Sequence, residues 1–328
     1  MRKLALFLLC LVVSLPAVSQ QTRHFTFHYA FTVRNIEPGQ KIELWMPQAH
    51  SDDFQEVKIL SVTSDLPLKP TRDTKYGNTM YHAVAEKADK AEYNVDVTYD
   101  VVRHERIGLP RDGLQPHLLK ASLKQSQEYL GPDKLVPVTG KLADIAAAQV
   151  QGKTATLDKA RAIYDYVFTT MKYDKSGTGW GRGDAEWACD SKRGNCTDFH
   201  SVFISMARSQ HIPARFEIGF PLPKDKHSGD IAGYHCWAEF YDSQLGWVPV
   251  DISEAWKDQQ KRDYFFGAHD ANRVQFSMGR DLVLTPKQAG DPLNYFVYPY
   301  VEVNGKKFEN VANHFSFEEK TAGETAQR

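Results

Sequence analysis

The chain has 328 residues, of which 42% are hydrophobic, 12% aromatic and 25% charged. Those proportions exclude a disordered or collagen-like chain, and the length suggests two domains. A net charge of −1 offers no basic field for nucleic acid, and four cysteines are too few for a disulfide scaffold.

At the N-terminus, Arg2 and Lys3 precede an apolar run over residues 4–13 that is too short to span a bilayer. Ala17 and Ser19 supply the small residues of a cleavage site. Residues 1–19 are therefore expected to be a secretory signal peptide, and the mature chain to be exported, periplasmic or secreted, with no transmembrane segment and a net charge of −3. Cys189, Cys196 and Cys236 then remain in an oxidising compartment. An odd number leaves at least one thiol unpaired, and unpaired Cys189 and Cys236 are expected over a disulfide between them.

Residues 20–104 read as strands. Phe25, Phe27, Tyr29, Phe31 and Val33 alternate with polar or small residues, the period of a half-buried strand. Ile42, Leu44 and Met46 repeat the pattern, Val57 with Ile59 and residues 78–84 are weaker candidates, and Tyr93, Val95, Val97, Tyr99 and Val101 form the clearest one. Short strands separated by turn signals suggest an antiparallel β-sandwich without chemistry of its own.

Residues 105–154 read as a helical linker region. Leu157, Ala160, Tyr164, Val167 and Met171 then follow helical spacing, with Thr156 as N-cap and Asp158 in the first turn. In the stretch from Gly177 to Gly183 every second residue is glycine. It follows a helix rather than a strand, so it is no dinucleotide fingerprint, and a loop bordering a cleft is expected. Residues 195–210 read as a helix stopped by Pro213, then strands at residues 214–220, 234–241 and 247–251. Residues 286–328 read as a C-terminal hairpin around Asn304 and Gly305, ending in a polar tail.

The chemistry concentrates around Cys196. Gly194 permits a tight turn and Asn195 is a good N-cap, which places Cys196 in the first turn of a helix. There the dipole and free N–H groups favour a thiolate and can receive an oxyanion. A base is available in His235. If its strand and the next form a hairpin with a three-residue loop, residues whose numbers sum to 486 face each other, and His235 lies opposite Asp251 with Cβ atoms about 5 Å apart. A carboxylate there would fix the tautomer of the imidazole. His235, Trp237 and Glu239 should face one side of the strand, and Tyr234, Cys236 and Ala238 the other. Opposite faces argue against zinc held by Cys196, His200, His235 and Cys236. His200 either borders the site or lies on the helix surface.

Helix-borne cysteine, strand histidine and a next-strand aspartate is the order of a papain-type nucleophile, base and orienter. Gly194-Asn195-Cys196, Ile212-Pro213-Ala214-Arg215, Tyr234-His235-Cys236-Trp237-Ala238-Glu239 and Gly246-Trp247-Val248-Pro249-Val250-Asp251 together resemble the transglutaminase-like superfamily over residues 155–285. The resemblance implies an α+β, papain-like core with Cys196, His235 and Asp251 as catalytic residues and Trp180 or Trp187 as an oxyanion or cleft-lining group. No EF-hand loop is present, so no cofactor or metal is expected. The resemblance also implies thiol-dependent acyl transfer on amide bonds of a protein or peptide substrate, envelope components included. A non-catalytic binding or scaffold module on the same fold is the alternative.

Overall fold

The computed structural model describes residues 20–111 and 113–320, so the expected signal peptide lies outside the described residues. The fold is α+β, built mainly from antiparallel sheets with few helices.

Two five-stranded sheets form the β part. The first has the order Ser228–Asp230, Val311–Glu319, Thr22–Val33, Tyr93–His104, Gln55–Ser64. The second has the order Lys306–Phe308, Tyr300–Val303, Ile42–Pro47, Thr79–Ala85, Lys69–Arg72. The alternation in the sequence sets which face is buried: Phe25, Phe27, Tyr29, Phe31 and Val33 share one core with Tyr93, Val95, Val97, Tyr99 and Val101. Ile42, Leu44, Met46 and Ala83 of the second sheet meet them there.

The hairpin around Asn304 and Gly305 forms, with Val301 opposite Phe308 and Val303 opposite Lys306, but the C-terminal segment does not stand apart from the sheets. Val311–Glu319 pairs along Thr22–Val33, with Phe27 opposite Phe317, and Tyr300–Val303 pairs with Ile42–Pro47. The sandwich read in residues 20–104 thus draws its remaining strands from residues 228–230 and 300–319. The boundaries expected at 104 and 286 do not divide the sheets or the core.

A third, four-stranded sheet carries the site, in the order Gly246–Val250, His235–Asp242, Ala214–Pro221, Arg273–Met278. The helix Cys196–Ser209 packs on it. Asn195 is its N-cap, as the sequence indicates, and His211 closes its far end at φ 61°. Burial is not confined to one face: Ser201 and Ser205 are as buried as Phe199 and Phe203. This is a central helix enclosed on all sides by the third sheet and the helices Lys141–Gln149, Thr156–Thr170, Ala185–Ser191 and Ile252–Lys257. The helix expected to be capped by Thr156 has Ala155 as its N-cap instead, with Asp158 in its first turn. Among the described residues no helix is long and apolar enough to cross a membrane.

Candidate active site

Cys196 opens its helix because the chain before it is locked by a reciprocal cap. The Asn195 side chain accepts from the Thr197 N–H at 2.9 Å, and the Asp198 carboxylate accepts from the Asn195 N–H at 2.9 Å. That carboxylate also accepts from Gly181 N–H at 2.7 Å and Gly183 N–H at 3.0 Å. The alternate-glycine loop is therefore a strap tied to the nucleophile's helix. Its glycines all adopt positive φ, from 60° to 91°, and a Cβ on Gly183 would lie 2.6 Å from Ser201 Oγ.

The structure brings Cys196, His235 and Asp251 together. His235 Nε2 lies 2.7 Å from Asp251 Oδ2, which leaves Nδ1 for the Cys196 sulfur, and the ring and the thiol each shift the other's pKa. All three are buried. The route to the pair differs from the one the sequence suggests. The hairpin pairs Ala238 with Val250 and Asp242 with Gly246, so facing residues sum to 488 and the register is displaced by two. The ladder ends before His235. Asp251 sits beyond its strand as N-cap of Ile252–Lys257, where Oδ1 accepts from the Glu254 N–H and Ser253 hydroxyl, both at 3.1 Å.

Electrostatics follow from this packing. Burial opposes the charged form of Asp251, but the His235 and Arg273 charges outweigh it and hold the carboxyl well below its usual range. Burial likewise opposes a charged His235. The Asp251 charge and hydrogen bond prevail and push its pKa up to about 10. For Cys196, burial would raise the pKa. Hydrogen bonds from Cys236 and His235, with the His235 charge, instead hold the thiol well below its usual range. The resting site favours thiolate and imidazolium.

Several neighbours were not legible in the sequence. Arg273 is buried and donates to Asp251 Oδ2 at 2.9 Å and to Asp270 at 3.1 Å. Nothing local marked it, since it arrives from a strand 22 residues beyond Asp251. His200 is fully buried rather than on the helix surface; its Nε2 accepts from the Ile252 N–H at 3.1 Å. Burial keeps it neutral, so its proton sits on Nδ1. Tyr234 OH accepts from Asn195 Nδ2 at 3.0 Å and bonds the Thr197 hydroxyl at 2.8 Å.

Cys236 does not simply turn away from the site. Its sulfur lies 3.7 Å from Thr197 Oγ1 and 3.8 Å from His200 Nδ1, and burial and the neighbouring Cys196 push its thiol pKa up. Both His235 and Cys236 reach the nucleophile, because the first turn of the helix straddles the start of their strand. Trp237 and Glu239 do share a face, toward Glu217 and Arg215. All three cysteines are unpaired. Trp180 donates its indole N–H to the Gly177 carbonyl at 3.1 Å, while Trp187 packs beneath Arg193 at 5.6 Å. Neither indole has a hydrogen bond to Cys196 among the described residues. Nor, among them, is any group of three or more His, Cys, Asp or Glu side chains placed to hold a metal ion.

The site faces a cavity of about 590 Å³ lined by His235, Tyr173, Tyr234, Leu222 and Ile231, with Lys175, Lys224, Lys257, Asp230 and Glu254 among its charged groups.

Residues 143–252 match the profile of the transglutaminase-like superfamily. The chain is 29% identical over 317 residues to an uncharacterized protein of Haemophilus influenzae, covering 86% of this chain and 85% of that one. It is also 25% identical over 146 residues to the uncharacterized protein YebA of Bacillus subtilis, covering 39% of this chain and 20% of YebA. Among solved structures, a Cytophaga hutchinsonii protein described as a candidate cysteine protease has the same fold, with a TM-score of 0.60 over 92% of each chain at 15% identity. The segment that matches the transglutaminase-like superfamily, residues 143–252, is the one that carries the helix-borne cysteine, the strand histidine and Asp251.

Proposed function

We propose that this protein is an exported thiol enzyme that transfers acyl groups from amide bonds of protein or peptide substrates, with Cys196 as nucleophile, His235 as acid–base and Asp251 as orienter. The observation that carries this reading is the buried His235–Asp251 pair at 2.7 Å, set against a thiol at a helix N-terminus. The structural likeness to a protein described as a candidate cysteine protease supports it.

In this mechanism the Cys196 thiolate attacks the amide carbon. The oxyanion is received by the N–H groups of the helix's first turn, the Cys196 N–H foremost. His235 passes its proton from Nδ1 to the leaving amine as the C–N bond breaks, leaving a thioester. Neutral His235 then takes a proton from water or a second amine as its oxygen or nitrogen attacks the thioester carbon; the C–S bond breaks, Cys196 leaves as thiolate beside protonated His235, and the product is a carboxylic acid or a new amide. Asp251 and Arg273 stay charged throughout, so the imidazolium forms beside a fixed countercharge.

Incubation with a cell-wall peptide and glutamine-peptide library plus a labelled amine, read by mass spectrometry, tests this. Cleavage without label marks a hydrolase, and label incorporation marks a crosslinking enzyme. A binding module on this fold leaves the library unchanged.

A further inference from the structure

On the face of the third sheet away from the Cys196 helix lies a second pocket, of about 210 Å³, lined by Arg103, Arg106, Arg215, Glu217, Phe54 and Leu119 among others. Three arginines and the carboxylates of Asp52, Asp53 and Glu217 line it, but they are not paired one to one. Arg215 is held by Glu217 at 3.1 Å and Glu239 at 2.6 Å. Arg106 pairs closely with Glu239, donates to the Trp247 carbonyl at 2.9 Å, and stacks 4.5 Å over Phe54. Two carboxylates thus serve two guanidinium groups, while Asp52 is turned to backbone N–H groups and Asp53 to His117, so among the described residues Arg103 has no carboxylate in contact.

Arg103 is only 2% exposed. Its Nη1 donates to the neutral Gln55 Oε1 at 3.2 Å; among the described residues no carboxylate lies within ion-pair distance. The Nε atoms of Arg103 and Arg106 and the Nδ1 of His50, another residue of the pocket, are buried without a hydrogen-bond partner. A buried cation with neutral partners is costly, several kcal/mol by general experience. Burial accordingly depresses the pKa of Arg103, and that of Arg106 to about 9. At the mouth of the pocket, Asp52 turns its Oδ1 to the Phe54 and Gln55 N–H groups at 2.6 and 2.8 Å.

We infer that this pocket is a binding site for a small monocarboxylate, whose two oxygens meet Arg103 and whose apolar end rests on Phe54, Leu119 and Met278. A planar carboxylate matches the guanidinium fork. A phosphate dianion fits less well, because Glu217 and Asp53 also line the pocket and would repel a second charge.

Thermal melts of the whole protein at fixed ionic strength test the assignment, with propionate as probe, propionamide as its neutral isostere, and phosphate and chloride as competing anions. A ligand bound only to the folded state raises the melting temperature with its concentration. Propionate should do so, saturably, and propionamide should not. Arg103→Gln should weaken the response at least tenfold in propionate concentration. Leu119→Trp, which fills the pocket and leaves the guanidinium in place, should do the same and covers the case in which Arg103→Gln fails to fold. No shift with propionate, or a shift unchanged in Leu119→Trp, overturns the site. An equal shift from chloride or phosphate overturns its selectivity for carboxylates.

Discussion

His235 Nε2 lies 2.7 Å from Asp251 Oδ2 although the two residues are partners in no ladder. Strand pairing ends at Ala238 and Val250, and the chain beyond Val250 turns into a helix whose Glu254 N–H, with the Ser253 hydroxyl, binds the other carboxylate oxygen. One side chain thus caps a helix and orients a histidine. The cap fixes the rotamer, so the oxygen facing His235 is preorganised.

Replacing Asp251 separates these roles. Asp251→Asn keeps a cap and a hydrogen-bonding partner for the ring, so the fold should survive, with a modest loss of turnover. Asp251→Ala removes the cap, worth about 1 kcal/mol, and breaks the ion pair with buried Arg273, which commonly costs about 3–5 kcal/mol. Asp270 still pairs with Arg273, so the lower half of that range is expected. Turnover should fall by roughly 10²–10⁴-fold, the range an acid–base group contributes. Melts and kcat/KM of both variants check this. Near-normal turnover of Asp251→Ala would mean that another residue orients His235.

The pH profile has a defined sign. Protonated His235 supplies the leaving amine with its proton, and its pKa is pushed up to about 10. The Cys196 thiol is held low. Activity should therefore persist well to the acid side of an ordinary thiol, near pH 8.5, and decline as pH rises through about 10. A kcat/KM profile whose alkaline limb lay near the ordinary histidine pKa of about 6.5 would show an unpaired ring.

Asp198 should matter for the strap rather than for chemistry. Asp198→Ala strands the N–H groups of Gly181, Gly183 and Asn195, and each buried unsatisfied donor costs about 1–3 kcal/mol. A lower melting temperature and new proteolytic cuts within residues 177–183 are expected. Limited proteolysis followed by peptide mapping reads this directly.

Tyr234→Phe removes one hydroxyl that serves Asn195 and Thr197. It should cost about 1–3 kcal/mol of stability and a few-fold in kcat/KM, by loosening the turn before Cys196. If melts and kinetics match wild type, the Asn195 cap stands without it.

The sequence showed the helix of Cys196 and the strand of His235 because both are local. A cap residue precedes an apolar run, and aromatic residues alternate along a strand. The hairpin register was misread by two because the turn chemistry was incompletely used. Asp242 Oδ1 accepts from the Gln244 and Leu245 N–H groups at 2.8 and 3.0 Å, and Gly246 takes φ 81° opposite Asp242. An Asp opening and a Gly closing the loop are the readable signs of that register. Arg273, and the pairing of residues 311–319 with residues 22–33, were not legible. Both depend on segments brought together across long sequence separations, and no local pattern names the partner. His200 was ambiguous for a related reason: its helix is buried on every side, so periodicity could not assign it a face.

The central claim, that His235 holds Cys196 as a reactive thiolate, is tested most directly by alkylation with limiting iodoacetamide at pH 6, quantified for each cysteine by mass spectrometry. Cys196 should be modified first and much faster than Cys189 or Cys236, whose thiols burial pushes up. In His235→Ala that preference should disappear. Equal slow labelling of all three cysteines in the wild-type protein, or a preference for Cys196 that survives His235→Ala, would contradict the claim.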